Sequence, residues 1–188
     1  MKFLALLAMC CVALGTVVLY GDEPSTMPTQ PAEPKNMVKN GSFAEIDKDG
    51  KPLSWKLNAA GQEVSVDKQE RPKGAAQSLK VAIKKEKSGQ GSVYQKITDL
   101  PKNAKLVLKV QVKGSSTRLG YVQIKLKRQG KELRRLSSGW NTLDWEEHKA
   151  EFSTEDADEL NVECRFSQSD KAVDQTVWFA NVTLVKAE

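Results

Sequence analysis

Apolar and polar residues alternate along most of the chain, and this alternation is typical of strands with one face in a core and one in water. In residues 105–113 the even positions are all apolar, and most odd positions are lysine or glutamine. Residues 121–127 repeat the pattern, with apolar side chains at Val122, Ile124 and Leu126. Since the segment between these runs is rich in glycine, serine and threonine, we predict that the two strands pair as a β-hairpin.

The same alternation recurs in many short runs that turn-forming residues separate. Strands are predicted at 78–84, 92–97, 144–152, 160–166 and 176–186, with shorter candidates at 37–40, 54–57 and 63–66. Helical periodicity is scarce. Many short strands at this spacing predict an all-β fold in which two antiparallel sheets pack as a β-sandwich.

The N-terminal part differs from the rest in composition. An uncharged apolar run extends from Phe3 to Tyr20, so residues 1–21 are predicted to be a secretory signal peptide. A retained anchor stays open as an alternative, since a run of this length can just span a bilayer. Residues 22–35 hold four prolines among polar residues and predict an extended linker. The remaining residues 36–188 suit one domain, and we expect a secreted or cell-envelope protein, periplasmic or extracellular.

No arrangement of residues in the sequence indicates catalysis. Removal of the signal peptide leaves Cys164 as the single cysteine, so no intramolecular disulfide can form, and its alternation with Val162 and Phe166 predicts a small buried hydrophobe. The single histidine is His148. The sequence has none of the common hydrolase, metalloprotease or phosphate-loop motifs. It also has no framed pair of carboxylates of the kind that a glycosidase requires, so we predict that the protein is not an enzyme.

The charge of the chain is a mild excess of basic residues. Lysine and arginine number 29 against 24 aspartates and glutamates, and the formal net charge is +5. Because acidic and basic residues are interspersed along the chain, nucleic acid is not expected as a partner. An acidic polysaccharide or another cell-surface polymer is compatible with this charge.

Three motifs carry a resemblance to a known family. Residues 36–43 read NMVKNGSF, the turn at 47–52 leads to Trp55, and residues 177–182 read VWFANV. This pattern resembles the carbohydrate-binding modules of the family 4/9 type. Those modules are galactose-binding-like β-sandwiches that begin with N-x-x-x-N-G-S-F, carry G-x-P-x-x-W and end on a W-F-D-D-V strand. The resemblance covers residues 36–186 and implies a jelly-roll topology, with the first and last strands close together, and a function in glycan binding.

The resemblance also implies a binding groove across the concave sheet, lined by side chains that point away from the core. Aromatic rings can stack on sugar rings, and amides can hydrogen-bond to hydroxyls. Outward positions on the predicted strands and one loop provide the candidate ligand contacts, which are Tyr94, Gln111, Tyr121, Gln123 and Trp140. Neighbouring lysines favour carboxylated or sulfated sugars. A solvated sheet face whose lysines discourage aggregation is the alternative interpretation of the same residues.

The other three tryptophans are interpreted as packing residues. Trp55 and Trp178 stand where the family pattern has tryptophan, and Trp145 precedes a predicted strand. A large aromatic side chain on an apolar face is usually structural. All three are therefore expected in the core or at a sheet edge.

Many members of the family hold a structural calcium ion between the N-terminal strand and the final one. The matching positions in this sequence are Glu45, Ala180 and Asn181. Carboxylate and carbonyl oxygens suit calcium, but Ala180 has no side-chain oxygen and Asn181 has only a neutral one. We therefore expect no calcium and no other cofactor.

The sequence leaves two main functions open, and a third, weaker alternative is a small hydrolase, which would need a pair of facing carboxylates in a cleft. The first is a secreted, non-catalytic, glycan-binding protein with a preference for anionic polysaccharide. The second is a cell-envelope interaction or adhesion protein, whose sandwich contacts a protein partner and has no sugar site. Two or more exposed aromatic side chains in one groove would favour the glycan, and an apolar rimmed patch elsewhere would favour the protein partner.

Overall fold

The computed structural model describes residues 35–187, which form ten strands in two five-stranded antiparallel sheets. The strands are β1 (Lys56–Asn58), β2 (Glu63–Asp67), β3 (Ser78–Ala82), β4 (Gln90–Ile97), β5 (Lys105–Gly114), β6 (Gly120–Arg128), β7 (Lys131–Ser137), β8 (Glu146–Ser153), β9 (Glu159–Ser167) and β10 (Thr176–Lys186). The front sheet has the strand order β1-β4-β9-β6-β7, and the back sheet has the order β2-β3-β10-β5-β8. One turn of 3-10 helix, Asp170–Ala172, precedes β10. The predicted all-β, two-sheet antiparallel sandwich of jelly-roll type is confirmed.

The predicted signal peptide and nearly all of the predicted linker fall on residues 1–34, which lie outside the described residues. Both assignments stay predictions. Within residues 35–187, no helix is long and apolar enough to cross a membrane.

The core lies between the two sheets and follows from the alternation in the sequence. On β5 the even-numbered residues from Leu106 to Val112 point inward and are buried, whereas the odd-numbered residues point outward. Cys164 on β9 is fully buried among them, as predicted. Each fully buried leucine, valine or phenylalanine side chain contributes about 1.5–3 kcal/mol relative to an exposed one. This apolar layer is therefore the main stabilising element of the fold.

The predicted hairpin between residues 105–113 and 121–127 is wrong. β5 pairs with β10 and β8 in the back sheet, whereas β6 pairs with β9 and β7 in the front sheet. The chain crosses between the sheets, and Asn141 stabilises the crossing because its Oδ1 accepts hydrogen bonds from the N–H groups of Leu119 (2.8 Å) and Gly120 (2.7 Å). Alternation specifies which side of a strand is buried, but it does not specify which sheet the strand joins.

β10 contains an irregularity after which the alternation of inward and outward side chains is displaced by one position. Phe179 points into the core before it and Val182 points into the core after it, although two residues lie between them and a regular strand would place them on opposite faces. The register against β5 shifts at this point, where Asn181 has a φ of +51°, as in a β-bulge. Trp178 therefore lies partly exposed on the outer face of a central strand, neither in the core nor at a sheet edge as predicted.

The N-x-x-x-N-G motif joins the start of the domain to the final strand. Asn36 Oδ1 accepts hydrogen bonds from the N–H groups of Val38 (3.0 Å) and Leu184 (2.8 Å), and its Nδ2 donates to the carbonyl of Val182 (3.2 Å). A Cβ atom on Gly41 would lie 2.0 Å from the Val182 carbonyl oxygen, so only glycine fits. The N-terminal segment forms turns rather than the predicted strand, but its predicted position next to the last strand is observed.

The remaining motif residues form a buried corner. Asn40 Oδ1 accepts from the N–H of Glu45 (3.0 Å), and Asn40 Nδ2 donates to the carbonyl of Leu53 (2.9 Å). The indole N–H of Trp55 donates to the carbonyl of Asn40 (3.1 Å), and its ring packs against Phe43 with centroids 5.2 Å apart. Trp55 is buried, as predicted. These contacts fix the loops around the buried rings of Phe43 and Trp55.

Candidate functional site

A shallow groove lies on the outer face of the front sheet. It encloses about 470 Å³ and crosses strands β1, β4, β9 and β6. The strand register sets Tyr94, Glu163 and Gln123 side by side in one row across it. The side chains that line the groove are Leu57, Asn58, Ser92, Tyr94, Lys125, Asn161, Glu163 and Arg165.

A buried carboxylate with two cationic partners forms the floor of this groove. Glu163 is only 5% exposed. Lys125 Nζ lies 2.9 Å from its Oε1, and Arg165 Nη1 lies 2.9 Å from its Oε2. Because one carboxylate oxygen accepts a hydrogen bond from Arg165 and the other is ion-paired with Lys125, the three side chains hold one another in place. The cluster carries two positive charges and one negative charge.

Arg165 is further oriented by two glutamines. Its Nη1 lies 3.2 Å from Gln123 Oε1, and its Nε lies 3.3 Å from Gln90 Oε1, which also accepts a hydrogen bond from the hydroxyl of Tyr121. Within residues 35–187, no group accepts a hydrogen bond from Nη2 of Arg165. The guanidinium is therefore fixed in direction and keeps donors for a ligand.

Asn161 adds an unsatisfied acceptor to the groove floor. It is 7% exposed, and its Oδ1 has no hydrogen-bond partner among the described residues. A buried polar group without a partner costs about 1–3 kcal/mol. A ligand hydroxyl in the groove can supply the missing donor once the Asn161 side chain turns toward it.

The two tyrosines predicted for the site differ in accessibility. Tyr94 lines the groove and is half-buried. Tyr121 points away from the core, but it is only 9% exposed because Trp140 packs edge-on against it, with centroids 4.7 Å apart and an interplanar angle of 63°. Trp140 itself is 37% exposed. Trp140 therefore offers its ring to solvent at the edge of the site, and Tyr121 supports it from below.

Gln123 points outward as expected but supports the groove instead of lining it. It is 5% exposed. Its Nε2 donates to Ser137 Oγ (2.8 Å), and its Oε1 accepts from Arg165. Both ends of the Gln123 amide are thus occupied by protein groups. Because Ser137 orients the amide, its oxygen helps to fix the direction of Arg165.

Gln111 lies on the opposite side of the molecule. The sequence interpretation sets it across from Tyr121 in a hairpin, but the two residues belong to different sheets and face outward in opposite directions. There Gln111 Oε1 accepts a hydrogen bond from Asn181 Nδ2 (2.7 Å). The other four predicted site residues share the front sheet or its adjoining loop, and Gln111 is separated from them.

Comparison with known proteins identifies the family of this sandwich. The family model CBM_4_9, described as a carbohydrate binding domain, matches residues 35–171. The chain belongs to this carbohydrate binding domain family. A search of curated proteins found no match.

Solved structures with the same fold include other carbohydrate-binding modules. The CBM22-1 xylan-binding domain from Paenibacillus barcinonensis Xyn10C aligns with a TM-score of 0.60 and 17% identity, over 82% of this chain and 96% of that chain. TmCBM61 in complex with β-1,4-galactotriose aligns with a TM-score of 0.59 and 14% identity, over 81% and 99%. The enzymatically active domain of bacteriophage CBA120 tailspike protein 4 aligns with a TM-score of 0.64 and 14% identity, over 81% of this chain and 21% of that chain. At these identities the likeness shows the fold alone, and the chain spans about a fifth of the tailspike structure.

Of the eight residues that line the groove of this carbohydrate binding domain, the sequence predicted only Tyr94 as a ligand contact, and three of the missed residues lie on β9. Asn161, Glu163 and Arg165 follow one another at every second position of β9. The signal for them is present in the sequence, because they alternate with the apolar residues that predict the buried side of the strand. Their ion pairs carry no such signal, since Lys125 comes from a different strand that is not adjacent in sequence.

The outer face of the front sheet carries a second carboxylate between two lysines. Glu159 Oε2 lies 2.6 Å from Lys96 Nζ, and its Oε1 lies 3.1 Å from Lys127 Nζ. Burial acts to raise the pKa of Glu159, but hydrogen bonds from the two lysines outweigh it and hold this pKa below its usual value. The carboxylate is therefore ionised at neutral pH, and the face repeats the arrangement of one carboxylate with two cations.

Neither Cys164 nor His148 is arranged for nucleophilic chemistry. Burial raises the pKa of the Cys164 thiol, and a buried, protonated thiol is unreactive. His148 Nδ1 lies 2.8 Å from Ser138 Oγ, which also accepts a hydrogen bond from the N–H of Val122. Burial lowers the pKa of His148. Since Ser138 follows β7 and His148 lies on β8, this contact links the edges of the two sheets.

The positions that relatives use for calcium do not supply a set of oxygen ligands here. Ala180 has a methyl group where a carboxylate would be needed, and the amide of Asn181 donates to Gln111. Among the residues of the described domain, no group of three or more histidine, cysteine, aspartate or glutamate side chains could hold a metal ion. Ala180 and Asn181 therefore supply no charged oxygen at these two positions.

Proposed function

We propose that this protein is an exported, non-catalytic module that binds a glycan in the front groove and favours anionic polysaccharide. Membership of the carbohydrate binding domain family supports a glycan as the ligand. Relatives of the same fold include a xylan-binding domain and a module in complex with a galactotriose, which are likewise glycan binders. The observation that carries the proposal is the groove floor, where Lys125 and Arg165 flank Glu163 next to the half-buried ring of Tyr94.

The sugar ring itself is bound by the uncharged part of the groove. Tyr94 supplies an aromatic surface for the apolar face of a sugar ring. Asn58, Ser92 and the unpartnered Oδ1 of Asn161 supply donors and acceptors for hydroxyls. Trp140 in the adjoining loop provides a second aromatic surface, on which another sugar ring of the same glycan can stack.

The preference for an anionic glycan follows from the charges around this groove. Five basic side chains and two carboxylates point outward from strands β1, β4, β6 and β9. The basic residues are Lys56, Lys96, Lys125, Lys127 and Arg165, and the carboxylates are Glu159 and Glu163. A uronate carboxylate or a sulfate accepts hydrogen bonds from the guanidinium of Arg165 and the ammonium of Lys125. These cations are already oriented, so little side-chain entropy is lost on binding.

Titration with polygalacturonate and with an uncharged xylan, at low and moderate salt, tests the proposal. We expect binding to polygalacturonate at low salt, and at least about tenfold weaker binding after Arg165→Gln, because a charge-assisted pair contributes about 1.5–3 kcal/mol. Lys109→Gln is the matched control, since it removes an exposed cation from the opposite face. If the protein binds neither polymer at low salt, the glycan function is wrong and the envelope protein partner becomes the better explanation.

We also propose that binding and stability are independent of calcium. Ala180 has no side-chain oxygen and Asn181 has only a neutral amide oxygen, so neither supplies the carboxylate that a calcium ion prefers. Addition of a calcium chelator is therefore expected to leave the melting temperature and the polygalacturonate affinity unchanged. A drop of several degrees that added calcium reverses would contradict this proposal.

A further inference from the structure

Two tryptophans lie in one row on the outer face of the back sheet, on the side of the molecule away from the groove. On that face Trp178 of β10 is paired with Lys80 of β3 on one side and with Lys113 of β5 on the other. The register of β5 with β8 then places Trp145 next to Lys113. The row therefore reads Lys80, Trp178, Lys113 and Trp145, and both indoles are partly exposed.

The indole of Trp178 lies along the surface of the sheet. Its Nε1–H donates to Asp67 Oδ2 at 3.2 Å, and Asp67 belongs to β2. β3 lies between β10 and β2, so the backbones of these two strands are about 9.6 Å apart, or two strand spacings. An indole can reach across that distance only by lying over β3. In this position Trp178 is partly exposed.

The indole of Trp145 is held in a comparable way. Its Nε1–H donates to Glu70 Oε1 at 3.0 Å, and the same oxygen lies 3.0 Å from Lys113 Nζ. Glu70 lies in the connection between β2 and β3. Its backbone carbonyl accepts a hydrogen bond from Ser78 Oγ (2.6 Å), which helps to hold this residue in place. Both indole N–H groups are thus bound by carboxylates of the protein. The surface that remains for a ligand is the ring face.

The charges around the two rings are balanced. Asp67 Oδ2 lies 3.8 Å from Lys80 Nζ, and Glu70 is paired with Lys113. Two carboxylates and two lysines leave no net charge at the row. An anionic ligand would gain nothing there, in contrast to the groove on the front sheet.

We propose that this row is a second glycan-binding face, which takes a neutral, extended polysaccharide. The chain would run across the strands, with sugar rings stacked on Trp178 and Trp145, whose backbones lie about two strand spacings, or about 9.6 Å, apart. A sugar ring has apolar C–H faces bordered by hydroxyls, and it matches isolated indoles bordered by lysines and carboxylates. A protein partner would instead require a contiguous apolar patch, which two indoles separated by Lys113 do not form. This proposal does not require that the front groove binds a glycan.

The indole N–H signals of the uniformly ¹⁵N-labelled full-length protein test this inference, because each tryptophan reports on its own location. Xylohexaose, cellohexaose and mannohexaose are titrated separately, and the signals are assigned with single Trp→Phe variants. We expect one of these sugars to shift the Trp145 and Trp178 signals, while that of the buried Trp55 stays in place. The Trp178→Ala variant is expected to bind that sugar about three- to tenfold more weakly.

The outcomes separate this proposal from the front groove. Shifts confined to Trp140 would place the neutral sugar on the front sheet and overturn the second face. No shift of Trp145 or Trp178 with any of the three sugars at millimolar concentration would overturn it as well. Loss of polygalacturonate binding in Arg165→Gln, with the Trp145 and Trp178 shifts retained, would support two independent faces. Because the shifts are measured on the unaltered sequence, a failure of the Trp178→Ala variant to fold does not affect this result.

Discussion

The outer faces of the two sheets come from the same alternation of residues and yet present opposite chemistry. On the front face a carboxylate, Glu163, is buried between two cations, and basic side chains exceed acidic ones. On the back face each carboxylate near the tryptophans has one lysine partner, and the charges cancel. The front face carries Tyr94 and Trp140, whereas the back face carries Trp145 and Trp178.

This difference shows what a β-sandwich leaves free to vary. The inward positions of most strands are constrained by packing, because the core between the sheets is filled by apolar side chains. The outward positions are constrained only by neighbours in the same row. One sandwich can therefore carry two surfaces of different charge and different aromatic content without a change in its core.

The largest expected effect comes from removing the buried carboxylate of the front face. Glu163→Gln leaves Lys125 and Arg165 without their anionic partner at largely buried positions, so we expect the free energy of unfolding to fall by about 2–4 kcal/mol. Glu70→Gln is the matched change on the back face. Its side chain is 35% exposed, and we expect a loss of less than about 1 kcal/mol. Urea denaturation of both variants measures the difference, and equal losses would show that the two faces do not differ in this respect.

A smaller effect is expected from the aromatic residue of the groove. Tyr94→Ala removes the ring that lines the groove but leaves the core untouched, so polygalacturonate affinity should fall about three- to tenfold with little change in stability. Calorimetric titration measures the affinity. An unchanged affinity in a folded variant would mean that Tyr94 does not contact the ligand.

Salt should distinguish the two faces without any mutation. Exposed charges are screened over about 10 Å at 0.1 M ionic strength and over about 3 Å at 1 M. Binding of polygalacturonate to the front face should therefore weaken several-fold between 0.05 and 0.5 M sodium chloride. Binding of a neutral hexasaccharide to the back face should change little. A neutral ligand whose affinity fell as steeply would show that the charge balance at the back face has been misjudged.

The smallest effect concerns His148, which belongs to neither face. Burial lowers its pKa in the folded state, although the charge of Glu146 acts in the opposite direction. Between the folded-state pKa of His148 and about 6.5, the unfolded chain therefore binds more protons than the folded one. The contribution of neutral His148 to the free energy of unfolding is complete above about pH 6.5 and is lost as the pH falls through the folded-state pKa. The urea midpoint should be slightly lower at pH 5.5 than at pH 7.5. His148→Gln should reduce that difference, and an identical difference in the variant would assign it to other groups.

The sequence predicts the fold and the direction of side chains well where a strand is regular. The alternation around Tyr94 indicates that it faces away from the core, and it does. The same reasoning applies to Asn161, Glu163 and Arg165, whose outward direction could have been read from β9. The prediction of side-chain direction fails at Trp178, because the irregularity at Asn181 displaces the alternation by one residue. This irregularity occurs where the register against β5 shifts, which a single strand does not reveal.

Two other properties of the site could not be predicted from a single strand. One is the sheet to which a strand belongs, which separates Gln111 from Tyr121. The other is the covering of an outward residue by its neighbours. Gln123 and Tyr121 both face away from the core, but contacts with Ser137 and Trp140 from other segments bury them. Both properties arise from pairs of residues that are distant in sequence.

The order in which the chain visits the sheets has a consequence for how the domain unfolds. Of the nine connections between successive strands, only those from β2 to β3 and from β6 to β7 stay within one sheet. Neither layer can detach as a unit, because almost every strand is tied in sequence to a strand of the other layer. We expect a single cooperative melting transition, in which both surfaces lose their architecture at the same temperature.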